Sequence, residues 1–233
     1  MNRLSVSALW DGMTGALLSD LSRMFFIAAP FTLLLGVALD LFGPSPPVAL
    51  SEITPGQWFW RLAVPALSAS FAQLVVTGLV LRPDADPRLA FAAALPLWPV
   101  YLAAQILSAL PVGLGLLLLF VPGLYLYARL GFLGSAIIMA EGGRPLAILR
   151  RSWDLSGGAQ LPLFLFLIVA LFAMVGIFMM TGGVGAALDV LARFLGLETV
   201  GRFLSSVAAG VASAVIAIAG AAASVVAYRR LAI

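Results

Sequence analysis

The sequence predicts an all-α protein: a polytopic membrane helical bundle with about six transmembrane helices and interfacial amphipathic helices beside them. Three observations carry this. Of 233 residues, 63% are hydrophobic and 10% charged, whereas a soluble domain averages roughly 25% charged. With a mean hydropathy of +1.12, the chain cannot cover a water-facing surface. Six stretches each supply the roughly 20 apolar residues that crossing a hydrocarbon core requires. All thirteen basic residues are Arg, and twelve of them fall at or beyond the edges of those stretches.

The elements follow in order. Residues 4–20 are too polar to span, and Leu4, Leu9 or Trp10, Met13 and Leu17 recur at helical spacing. This predicts an amphipathic helix lying on a membrane surface. About twenty residues with Asp11 and Asp20 precede the first span, so no cleavable leader is expected. Spans are predicted near 23–42 and 59–81. From Leu89 to Ala140 the only charge is Arg129, a stretch too long for one helix. Val121-Pro122-Gly123 is the place to turn, which makes spans of 96–120 and 123–140. Five spans with a re-entrant segment is the alternative. Residues 145–155 form a second surface helix, with Pro145 in its first turn and Leu146, Leu149 and Trp153 as its apolar face.

The fifth and sixth spans fall near 161–181 and 203–228. In their connection Asp189 precedes Arg193, and Glu198 precedes Arg202, by four residues. That spacing favours a short interfacial helix. Along the last span Ser205, Ala209, Ser213, Ala217 and Ala221 recur every fourth residue, a stripe on which a neighbouring helix packs closely. Packing inside the chain's own bundle is the simpler reading; a homo-oligomer face is the other.

Orientation comes from the arginines. With both termini cytoplasmic, nine lie inside (Arg3, Arg23, Arg82, Arg88, Arg144, Arg150, Arg151, Arg229, Arg230) and three outside (Arg61, Arg193, Arg202), as the positive-inside rule requires. The same frame puts Trp10, Trp98, Tyr101, Trp153 and Tyr228 near the inner boundary and Trp58, Trp60, Tyr125 and Tyr127 near the outer.

The chain has no histidine and no cysteine. His-based metal sites, catalytic triads and disulfides are therefore excluded, and no cofactor or metal is expected. Arg129 is the one ionisable residue predicted well inside the hydrocarbon, where a charge costs about 2.5–3.5 kcal/mol on insertion scales. It is either an anion or lipid-phosphate ligand, or a structural residue that snorkels to the surface or pairs with Asp40. Arg144, Arg150 and Arg151 with Trp153 form a candidate site for anionic headgroups; the plainer role is topological anchoring. Gln73 and Gln105 read as interhelical hydrogen-bond groups. Pro65, Pro96, Pro99 and Pro111 are candidate helix breaks. The formal charge of +3 reflects inner-face arginines and not nucleic-acid binding.

One stretch carries a family resemblance. Pro122-Gly123 leads into Tyr125 and Arg129, and Glu141-Gly142 closes the span; Pro145-Leu146, Arg150-Arg151-Ser152-Trp153 and Leu155 follow. Over about 120–160 this resembles the membrane domain named after glycerophosphoryl diester phosphodiesterases and the related YciC-type bacterial inner-membrane proteins. The opening LSVSALWDG and the closing Tyr228-Arg229-Arg230-Leu231 are similar to the family's ends. The resemblance implies a multi-pass inner-membrane protein. It does not imply phosphodiesterase activity, which in fused members belongs to a separate soluble domain.

Together these readings predict a non-enzymatic integral inner-membrane protein that acts through membrane lipids or membrane-protein partners, in envelope integrity. The alternative is a small transporter or lipid-translocating carrier with a pathway near Arg129.

Overall fold

A computed structural model describes residues 4–45 and 53–232, and every regular element in them is helical. Arg3, counted above among the inner arginines, lies outside the described residues. Six helical segments are long and apolar enough to cross a membrane.

Helix α1 (Val6–Phe42) opens at Ser5, whose side chain accepts a hydrogen bond from the Ala8 amide. The backbone leaves helical geometry at Asp20 (φ −152°, ψ 37°), which separates the amphipathic segment from the span as its polarity predicts. Leu9 and Met13 are buried, and the Trp10 ring meets Phe166 edge-on at 6.5 Å. The apolar face of this segment is therefore covered by the bundle itself. At Pro30–Leu34 the helix widens into a π turn, because proline has no N–H for the regular ladder.

Helix α2 (Pro55–Leu81) starts with a reciprocal cap between Thr54 and Gln57. An ion pair between Arg61 and Asp40 ties its start to the end of α1. Asp40 is thus not the partner of Arg129. Helix α3 (Pro87–Leu118) begins well before residue 96 and runs unbroken through Pro96, Pro99 and Pro111, which are therefore not helix breaks. Its Trp98 Nε1 donates to Ser70 Oγ at 3.0 Å, and Tyr101 OH donates to Gln73 Oε1 at 3.2 Å. These two aromatics are interior groups bonded to α2, not members of an inner belt. Gln73 is interhelical glue, as expected.

The α3 hairpin turns at Leu119 (φ −159°, ψ 142°), so Pro122 and Gly123 fall in the first turn of α4 (Phe120–Leu130). Proline is at home there. Gly123 lets the hairpin close: a Cβ on Gly115 would lie 2.8 Å from the Gly123 backbone. A kink at 131–133 leads into α5 (Gly134–Glu141). The surface helix α6 (Pro145–Leu155) follows.

Helices α7 (Gln160–Phe194) and α8 (Glu198–Leu231) are 35 and 34 residues long. They replace the short interfacial helix expected within 182–202, because both continue to a turn at Gly196 (φ +72°). The Asp189–Arg193 pair forms at 2.7 Å; no Glu198–Arg202 pair forms among the described residues.

Gly210 of α8 is buried against α1, where a Cβ would come within 2.8 Å of Leu33 Cα. The face turned inward runs through Ser206, Gly210, Ala214, Ile218 and Ala222, one residue along from the predicted stripe. Of that stripe Ala221 is buried, Ser205 donates to Gly185 O at 2.9 Å, Ser213 and Ala217 are half-buried, and Ala209 is exposed.

Long-range contacts gather the charges at one end. Arg23 donates to the carbonyls of Pro83 and Ala85. Arg229 donates to those of Val80 at 3.0 Å and Leu81 at 2.9 Å. Tyr228 OH donates to Glu141 at 2.8 Å, and the same carboxylate holds Arg151 at 3.1 Å. The Asp40–Arg61 pair and the α7–α8 turn lie at the other end.

Candidate functional site

Arg129 sits in the last turn of α4, where the negative end of the helix dipole favours a cation. It is 4% exposed. The surface helix covers it: Ser152 Oγ donates to the Arg129 carbonyl at 2.8 Å, and Ser156 Oγ donates to the Ser152 carbonyl at 2.6 Å. These bonds fasten α6 and the following turn onto α4. The Trp153 ring then lies over the guanidinium, 4.0 Å from its carbon to the ring centroid. Gly157 closes another side, where a Cβ would stand 3.9 Å from Nη1.

Stacking of this kind contributes up to about 2 kcal/mol when desolvated, yet it satisfies no N–H. Nε and Nη1 are buried without any hydrogen-bond partner among the described residues. Each such donor costs about 1–3 kcal/mol. The pairing with Asp40 does not form, since Asp40 holds Arg61. The guanidinium packs under the Trp153 ring with 4% of the residue exposed.

Its depth also differs from the sequence reading. Tyr125, one turn earlier, donates to Gln160 Oε1 at 2.9 Å, and Gln160 opens α7 at the end of the molecule that carries Arg229. Tyr125 and Arg129 therefore stand beside the surface helix, and Tyr125 does not belong to an opposite belt.

The basic cluster divides. Arg151 is held by Glu141 and is a structural clamp. Arg144 and Arg150 are exposed and unpaired among the described residues. Arg150 is three residues before Trp153 and shares its side of the helix. Ile148 and Ser152 are buried against the bundle, Leu149 packs partly buried on the core, Trp153 covers Arg129, and Leu146 is 64% exposed. Arg129 and Trp153 are thus in contact, with the exposed Arg150 one turn before Trp153 on the same helix and Arg144 at the helix start.

The contact that sequence reasoning missed is the Ser152 bond. Its signal was a polar residue four positions from Ile148 on a helix otherwise read for apolar spacing. No group of three or more acidic residues able to hold a metal ion occurs among the described residues.

No family model, no curated protein and no solved structure matches the chain.

Proposed function

We propose that the chain is a non-enzymatic integral protein of the bacterial inner membrane that binds an anionic lipid headgroup at Arg129, Trp153 and Arg150. We place it with the YciC-type membrane proteins, termini cytoplasmic, with envelope integrity as its cellular context. One observation carries the binding reading: a guanidinium buried in stacked contact, with two nitrogens lacking acceptors. A phosphate oxygen is the acceptor that such a group lacks, and charge-assisted bonds of this type are the strong ones. Arg144 and Arg150 add attraction of about 1 kcal/mol per residue near an anionic surface. A transport pathway past Arg129 finds less support, since the residue is packed to 4% exposure.

Native mass spectrometry of the purified protein tests the proposal by comparing retained lipids in the parent and in Arg129→Ala. Loss of a retained anionic phospholipid in the variant is expected. Equal retention removes Arg129 from lipid binding.

A further inference from the structure

Away from Arg129, α1 and α3 both pack along α2 and leave an open cleft of about 360 Å³ between them. Its floor is Val75 of α2, and its walls are Ile27 and Pro30 of α1 and Phe91 of α3. The π turn that starts at Pro30 widens α1 at this wall, and π turns recur at functional positions. Phe31 closes the top, meeting Phe71 edge-on at 5.3 Å and Phe91 at 6.3 Å. The volume falls within the range of pockets that hold small ligands, and the lining is apolar apart from one residue at its lower mouth.

That residue is Arg88, exposed and with no side-chain hydrogen bond or ion pair among the described residues. It follows Leu81, the last residue of the α2 span, by seven positions and so marks the membrane boundary. An apolar slot lying in the hydrocarbon layer, with a free guanidinium where that layer ends, has the polarity of a phospholipid: acyl chain above, phosphate below. The loop at the mouth carries Arg82 and Arg88 beside Asp84 and Asp86, and Arg23 and Arg229 donate to its backbone carbonyls between residues 80 and 85. Arg88 itself meets the phosphate, which every glycerophospholipid carries whatever the net charge of its headgroup.

We infer that the α1–α3 cleft holds one acyl chain of a glycerophospholipid whose phosphate rests on Arg88. This site is independent of Arg129. The absence of cysteine makes it directly testable with a single Ile27→Cys substitution in the full chain. Alkylation of the introduced thiol by a small maleimide is timed in mild detergent with added phosphatidylethanolamine, phosphatidylglycerol or phosphate-free diacylglycerol.

Both phospholipids are expected to slow labelling by about fivefold more than diacylglycerol does, and Arg88→Gln should abolish that difference. Arg129→Ala should leave the protection unchanged, so the two sites fail separately. Equal protection by diacylglycerol, or protection that survives Arg88→Gln, overturns the inference. Phe172→Cys, on a lipid-facing position of α7 that is 74% exposed, should show no phosphate dependence; the same dependence there also overturns it.

Discussion

At the scale of single residues, Arg129 carries two opposing terms. Burying its unpaired Nε and Nη1 costs about 1–3 kcal/mol per donor, and the Trp153 face returns up to about 2 kcal/mol. In lipid-depleted detergent Arg129→Met should therefore be at least as stable as the parent, since relief of two donors at about 1–3 kcal/mol each matches or exceeds loss of a stack of up to about 2 kcal/mol. Lipid separates the two proteins. Phosphatidylglycerol at about 100 times its dissociation constant for the Arg129 site should stabilise the parent by about 2.7 kcal/mol more than the variant, in which only the α1–α3 cleft still takes phospholipid. Thermal unfolding across a lipid titration measures this, and parallel shifts would return Arg129 to a packing role. Trp153→Ala should cost about 2 kcal/mol with Trp153→Phe in between, as the weaker quadrupole of phenylalanine still faces the cation. The cost of a lone arginine in a long apolar stretch was legible in the sequence; its partner was not. Residues 129 and 153 are joined by a kink, a second helix and a surface helix, and no periodicity spans such a path.

At the scale of elements, helix existence was legible and facing was not. Hydropathy fixes where a chain enters and leaves the hydrocarbon, but lipid is as apolar as leucine, so a membrane helix is apolar toward both its neighbours and its solvent. The buried face of α8 lies one residue along from the stripe of small side chains, and α6 likewise turns Ile148 and Ser152 inward. What decides α8 is Gly210, where a Cβ would press within 2.8 Å of Leu33 Cα on α1. Backbone cannot yield as a flexible side chain does. Gly210→Val should thus destabilise by about 1–3 kcal/mol, while Ala209→Leu should stay within about 0.5 kcal/mol of the parent. Denaturation of both variants in one detergent checks the order. The reverse order would restore the stripe through Ala209 as the packing face.

At the scale of the whole molecule, helix lengths and charge positions define two planes. Along α2, Arg61 and Arg82 are 21 positions apart, about 31 Å of helix rise, close to the roughly 30 Å of a bilayer core. Along α8, Arg202 and Arg229 are 27 positions apart, about 40 Å. A lean of about 40° for the α7–α8 hairpin, at the upper end of observed tilts, reconciles the two. Such a lean would keep Phe194, 88% exposed, and Leu191, 57% exposed, near the headgroups instead of lifting them into water. Positive charge gathers at the end holding Arg82, Arg88, Arg150, Arg229 and Arg230, and that end should face the cytoplasm. Reporters inserted at Gly157 and fused after Ala232 should therefore both be active on the cytoplasmic side, and one inserted at Gly196 on the other. A reporter at Gly196 active on the same side as one at Gly157 would mean that the α7–α8 hairpin dips into the membrane without crossing, and the two-plane frame would fail with it.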